Sequence, residues 1–156
     1  MRTNVPHCAP FRIAQRFYGY ALDDLKWKGF TSMQQLQNRT SKRALDLTKD
    51  VPRSGREQLS GFAWLGRAAD KARAKQAGTL GEYISLCPLD EGFLERSGVS
   101  NDMFLELIAQ GVTDDELGSY FERNVPPGQR KAANQWVLVD MADHLADQDR
   151  EERQAA

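Results

Sequence analysis

Residues 67–83 read RAADKARAKQAGTLGEY. The first part has the composition of a helix, and the second closes it with a turn bracketed by Gly78 and Gly81. Extending the helix back to residue 56 and winding it at about 100° per residue puts Leu59, Phe62, Ala63, Gly66, Ala69 and Ala77 on one arc. That arc is the face to bury. Asp70 and Arg73 fall inside it, while Arg67, Lys71 and Lys75 fall beside or outside it. Charges on a core-facing arc are costly unless they are paired or used. Asp70 and Arg73 stand three apart, so their side chains can meet. Two readings follow. One is a structural ion pair that also bonds a neighbouring loop. The other is a pocket floor, where Arg73 and Arg67 hold an anion and Asp70 orients it or accepts a proton.

The turn belongs to the same question. Amides between Gly78 and Gly81 could cradle a phosphate, but GTLGEY lacks the Lys-Ser/Thr of a P-loop. A helix C-cap followed by a tight turn is the simpler reading. Glu82 offers an acid or base and Tyr83 a phenol; equally, they are a surface acid and a core ring. Cys87 stands at the expected start of a further helix, where dipole and free amides favour a thiolate. Asp90, three residues on, opposes that charge, so a small buried hydrophobe at a helix start is the plainer role for Cys87. Asp140 and His144 are four apart on the last helix, an arrangement that reads as a satisfied polar pair. With no second histidine motif, no metal site is expected.

Outward from this stretch, helix signals recur. Ser54-Gly55-Arg56-Glu57 has the form of a capping box, predicting one helix from about residue 56 to Ala77. Cys87-Pro88-Leu89-Asp90 opens a second helix that Gly98 ends, and Ser100 caps a third that Gly111 closes. Thr113–Glu116 is another capping box and opens a fourth helix to about Arg123. After Pro126-Pro127 a last helix is predicted to Asp147, and the tail 148–156 reads as disordered. The stripe Phe104, Leu105, Leu107, Ile108 is core. Only Tyr83–Leu86 resembles a strand, and its alternation is weak. The expected fold is all-α, a compact bundle of about five helices.

Composition sets the outer limits. The chain has 156 residues, 40% hydrophobic and 28% charged, with a net charge of −1. That is enough for one domain with a real core. No apolar run approaches the roughly 18 residues of a membrane span. The two cysteines, Cys8 and Cys87, form no CxxC pair, which suits a reducing, cytoplasmic setting. Charge is uneven: residues 1–45 carry eight basic and two acidic residues, and residues 46–156 carry 13 basic and 20 acidic. Residues 1–44 therefore read as a basic N-terminal extension, with Met33 the candidate true start, ahead of a helical domain over 45–147. A basic leader is compatible with nucleic acid, but the total charge argues against that partner.

The words LDLTKDVPRS, LSGFAWLGRAADKARAKQAGTLGEY and CPLDEGFLERSGVS, in order and closely spaced, resemble a bacterial domain-of-unknown-function family of the DUF5069 type. The resemblance runs over roughly Leu45–Val125 and loosens beyond it. It implies a compact, mainly helical protein. It draws attention to Arg67, Asp70, Lys71, Arg73, Gly78, Gly81, Glu82, Tyr83, Cys87 and Asp90, and brings no activity or cofactor with it.

The function expected from these residues is binding of a small anionic or polar ligand around Arg67–Tyr83. Arg67, Asp70, Arg73, Gly78 and Gly81 are its binding candidates. Asp70, Glu82, Tyr83 and Cys87 would carry any chemistry. The alternative is an interaction module or homodimer in which Asp70 and Arg73 form a structural pair.

Overall fold

The computed structural model describes residues 44–155; the basic extension, Met33 and Cys8 lie outside them. The order of elements is a small hairpin, β1 (Gln58–Leu59) and β2 (Phe62–Ala63), followed by α1 (Leu65–Ala77), α2 (Pro88–Ser97), α3 (Asn101–Ala109), α4 (Asp114–Asn124) and α5 (Pro127–Gln135). A π-helical turn (Trp136–Asp140) then leads into α6 (Ala142–Ala155). The all-α expectation holds apart from the hairpin, and the predicted helix ends at Gly78, Gly98 and Thr113 are the observed ones.

Three expectations need correction. The helix predicted from residue 56 begins only at Leu65. Ser60, Gly61 and Trp64 have φ of 51°, 77° and 71°, left-handed values that no α-helix accommodates. Ser60 and Gly61 turn β1 into β2, pairing Leu59 with Phe62 and Gln58 with Ala63. Ser54 does not cap a helix: its hydroxyl donates to Asp149 at 2.9 Å. Gly55 is required here, because a Cβ would lie 2.4 Å from the Trp64 ring.

The second correction concerns the last helix. It is broken by the π turn, in which the Met141 amide donates to the Trp136 carbonyl at 3.0 Å. The bulge seats Trp136 against Gly92, where any Cβ would clash at 2.4 Å, and brings the Arg96 guanidinium 4.1 Å from the indole centroid. Third, the segment predicted as a disordered tail is helical through Ala155. Its polar residues have partners on the domain, described below. Tyr83–Leu86, the weak strand candidate, lies in turns and irregular backbone.

The core gathers Phe62, Phe93 and Phe121, with Phe62 edge-on to Phe121 at 5.4 Å and Phe93 stacked on it at 6.1 Å. Trp64, Leu94, Phe104, Ile108, Leu117, Val137 and Leu145 complete it. Helix α1 packs against α3, and α2 against α5. Asn134 of α5 fastens the hairpin, accepting from the Ala63 amide at 3.0 Å and donating to the Gly61 carbonyl at 2.7 Å. Every residue of α1 from Leu65 to Ala74 is buried. Its alanines and Gly66 let neighbours approach on all sides, so α1 is a central helix and not an amphipathic one.

Candidate functional site

Burial of α1 on every side explains why four charged side chains, Arg67, Asp70, Lys71 and Arg73, lie inside the domain. Arg67 and Lys71, which the helical wheel put at or beyond the edge of the apolar face, are buried as deeply as Asp70 and Arg73. Each then needs a counter-charge, and four different elements supply them.

Asp70 is held by Arg53, whose amide donates at 3.1 Å, Nε at 2.9 Å and Nη2 at 2.7 Å. Arg73 donates to Asp114 at 2.6 Å and to the Val112 carbonyl at 3.0 Å. Arg53 also reaches Asp114, at 2.8 Å. The predicted direct Asp70–Arg73 pair is thus replaced by a chain running Asp70, Arg53, Asp114, Arg73. The spacing of three allowed contact, but Arg53 and Asp114 bring more donors and acceptors to each charge. The Asp70 bonds hold the Arg53 guanidinium well above its ordinary pKa, against the opposing effect of burial. Burial pushes the Asp114 carboxyl up, but hydrogen bonds from Arg73 and Arg53 outweigh it and hold the group below the usual value.

Lys71 lies over the Trp64 ring at 5.4 Å and donates to Asp90 at 2.8 Å. Asp90, buried at the first turn of α2, also accepts from the Trp64 indole at 2.8 Å and from the Cys87 amide at 3.1 Å. The Cys87 sulfur is 3.3 Å from Lys71 Nζ. The CPLD word therefore builds a helix start around a buried lysine, with Cys87 at its half-exposed rim.

Arg67 is 1% exposed and sits between two rings, 5.5 Å from Trp64 and 5.8 Å from Tyr83. Its Nη1 donates to the Arg53 carbonyl at 3.0 Å and to Glu152 at 3.1 Å, and its Nη2 donates to the other Glu152 oxygen. Burial and the Glu152 charge raise the Tyr83 phenol above its ordinary pKa, and Arg67 partly offsets them.

Gly78 caps α1 with φ 74°, as predicted. Gly81 has φ 63° and lies so close to the preceding chain that a Cβ would stand 2.6 Å from the Leu47 carbonyl oxygen. Thr79 donates to the Leu45 carbonyl at 3.0 Å, so the glycine turn docks on residues 45–48. Glu82 is exposed beside it. Asp140 and His144 are both exposed, on the π turn and on α6. Among the described residues there is no cluster of His, Cys, Asp and Glu able to hold a metal. No described helix is long and apolar enough to cross a membrane.

A cleft of about 780 Å³ opens where the 47–51 segment, the Gly81–Tyr83 turn and α6 meet. Tyr83, Glu82, Gln148, Glu151, Glu152 and Asp50 are among its lining residues. Lys49, also in the lining, is paired with Asp46 at 2.8 Å. The buried Gln148 Oε1 has no hydrogen-bond partner. Of the predicted binding residues only Gly81 reaches this cleft, and of the candidates for chemistry Glu82 and Tyr83; Arg67 lies behind Tyr83 and Glu152, and Asp70 and Arg73 belong to the interior chain of charges. Sequence reading missed Arg53, Asp114, Gln148 and Glu152. One signal was available: unpaired charges on a buried helix demand partners, and Leu145, Asp149 and Glu152 follow one another at helical spacing.

The family model described as Domain of unknown function (DUF5069) matches residues 49–156. The match runs through α5 and α6, beyond Val125 where the sequence words loosen. Comparison with curated proteins finds no match.

Proposed function

We propose that this chain, which belongs to the DUF5069 family, binds a small polar ligand in the cleft between residues 47–51, the Gly81–Tyr83 turn and α6. A ligand carrying N–H donors or positive charge matches the cleft better than an anion. Asp50, Glu82, Glu151 and Glu152 would oppose an anion. The arginines that would have received an anion already hold Asp70, Asp114 and Glu152. The observation that carries the reading is the acidic lining of the cleft, Asp50, Glu82, Glu151 and Glu152, beside Gln148, whose buried Oε1 has no partner. Such an atom gains most from a donor that enters. Tyr83 supplies the apolar face that a small ligand needs beside its polar contacts.

The test is a thermal-shift screen of amines, guanidines and amides against matched carboxylates. A ligand at about 100 times its dissociation constant adds about 2.7 kcal/mol. Stabilisation by the donor-bearing set, lost in Gln148→Leu and weakened in Glu82→Gln, is the expected result. Stabilisation by carboxylates alone would sink this reading.

A second reading is an interaction face on α5 and the π turn. Val139 is 63% exposed there, beside Leu138, Arg130 and Lys131 along a shallow groove of about 580 Å³. Light scattering of the chain and of Val139→Asp tests whether this face joins two copies.

A further inference from the structure

The way α6 is fastened points to a second site. Leu145 is its buried apolar anchor. From residue 146 to 154 no apolar side chain of α6 is buried. That half is held through polar groups: Asp149 accepts from Ser54 at 2.9 Å and pairs with Arg56 at 3.4 Å, and Glu152 grips Arg67. Arg67 also has contacts outside α6. Trp64 and Tyr83 flank its guanidinium, and the Arg53 carbonyl accepts from Nη1. Its Nε is buried and has no partner, so Glu152 leaves the guanidinium incompletely satisfied.

We propose that Glu152 is a built-in stand-in for a ligand carboxylate, and that the C-terminal half of α6 is a latch over an arginine site. The site is a guanidinium set between two aromatic faces, a geometry suited to planar, bidentate recognition of a carboxylate. A free carboxylate, not tied to α6, can instead bind side-on across Nε and Nη2 and leave Nη1 to the Arg53 carbonyl. The carboxylates of the latch lie at the surface edge, the Glu152 side chain with 15% exposure and that of Asp149 with 25%, and a carboxylate that replaces Glu152 keeps the buried Arg67 charge paired. Releasing the latch withdraws no apolar side chain of residues 146–154 from the core. This inference concerns Arg67 and does not rest on the donor-bearing ligand proposed for the cleft. The two fail separately, since one is tested with amines and Gln148 and the other with a carboxylate and Glu152.

Formate is the probe, with chloride at the same ionic strength as control. An intramolecular carboxylate competes at an effective concentration on the order of millimolar even on a flexible tether, and a helix raises it, so formate is used at about 0.5 M. In the full wild-type chain, hydrogen exchange of amides 149–155 is expected to quicken several-fold in formate over chloride, while α1 amides stay unchanged. Equal exchange in the two salts would overturn the proposal. In Glu152→Ala, formate is expected to raise the melting temperature by several degrees over chloride, whereas wild type shows no such gain. A variant that gains no more from formate than from chloride counts against the site. A variant that folds only with formate present counts for it. If the variant folds in neither salt, the exchange experiment on wild type decides.

Discussion

Replacing Asp90 by asparagine tests the interior charge arrangement most sharply. The Asp90 carboxylate is 1% exposed and the Lys71 side chain 4%, so solvent cannot take over either role. Asparagine keeps one oxygen for the Trp64 indole but turns its NH2 toward the Lys71 ammonium and the Cys87 N–H, so Lys71 loses its counter-charge and Cys87 its acceptor. Removing one member of a buried pair costs about 3–5 kcal/mol. The indole bond is retained and the Cys87 bond is lost, so Asp90→Asn is expected to cost at least about 3 kcal/mol. For a chain of this length each kcal/mol corresponds to about 2–4 °C, so the melting temperature falls by about 6–12 °C. Urea unfolding followed by tryptophan fluorescence suits the measurement, because Trp64 is buried against both charges. The double variant Lys71→Met/Asp90→Asn removes both charges and is expected to be more stable than the sum of its parts, with a coupling of about 2 kcal/mol. A loss below about 1 kcal/mol for Asp90→Asn, or additivity within about 0.5 kcal/mol, would refute the reasoning.

Three further outcomes follow from the same contacts. Gly81→Ala is expected to cost at least about 1–2 kcal/mol in urea unfolding, since alanine is strained at φ 63° and its Cβ meets the Leu47 carbonyl. Asp114 has a folded pKa below its unfolded value of about 3.9. Its stabilisation is complete above that value and is lost as pH falls through the folded pKa, so Asp114→Asn should flatten the acid limb of a stability–pH curve. The effect is small because the side chain is 37% exposed and screened. Leu145→Ala is expected to cost about 2–5 kcal/mol and to speed exchange along α6, because Leu145 is the apolar anchor of that helix.

Legibility of the fold followed the range of the interactions involved. Gly78, Gly98 and the Thr113–Glu116 box mark helix ends through contacts within a few residues, and all three ends lie where local chemistry put them. The Ser54–Glu57 box failed because its hydroxyl was claimed by Asp149, 95 residues away, and because Trp64 adopts a left-handed conformation in the packed core. No local signal distinguishes a serine that caps a helix from one that ties down a distant helix. The candidate site divides in the same way. Asp70 and Arg73 were recognisable as buried charges, since a helical period places them on an apolar arc. Their partners Arg53 and Asp114 were not, because a guanidinium in a loop and an aspartate in a helix's first turn look like ordinary surface residues.

The sequence by itself determined the helix boundaries at Gly78, Cys87, Gly98, Ser100 and Thr113, that Asp70 and Arg73 would carry charge into the interior, and that a glycine turn would follow. Local sterics, capping and hydrophobic periodicity suffice for these. Only the tertiary structure decided that α1 is buried on all sides, which makes four charges internal instead of two. It alone decided that residues 148–155 form a helix, because their order comes from Arg67, Ser54 and Arg56 and not from any apolar face of their own. A charge needs a counter-charge when it leaves water, and which counter-charge arrives is settled by packing between elements distant in the chain.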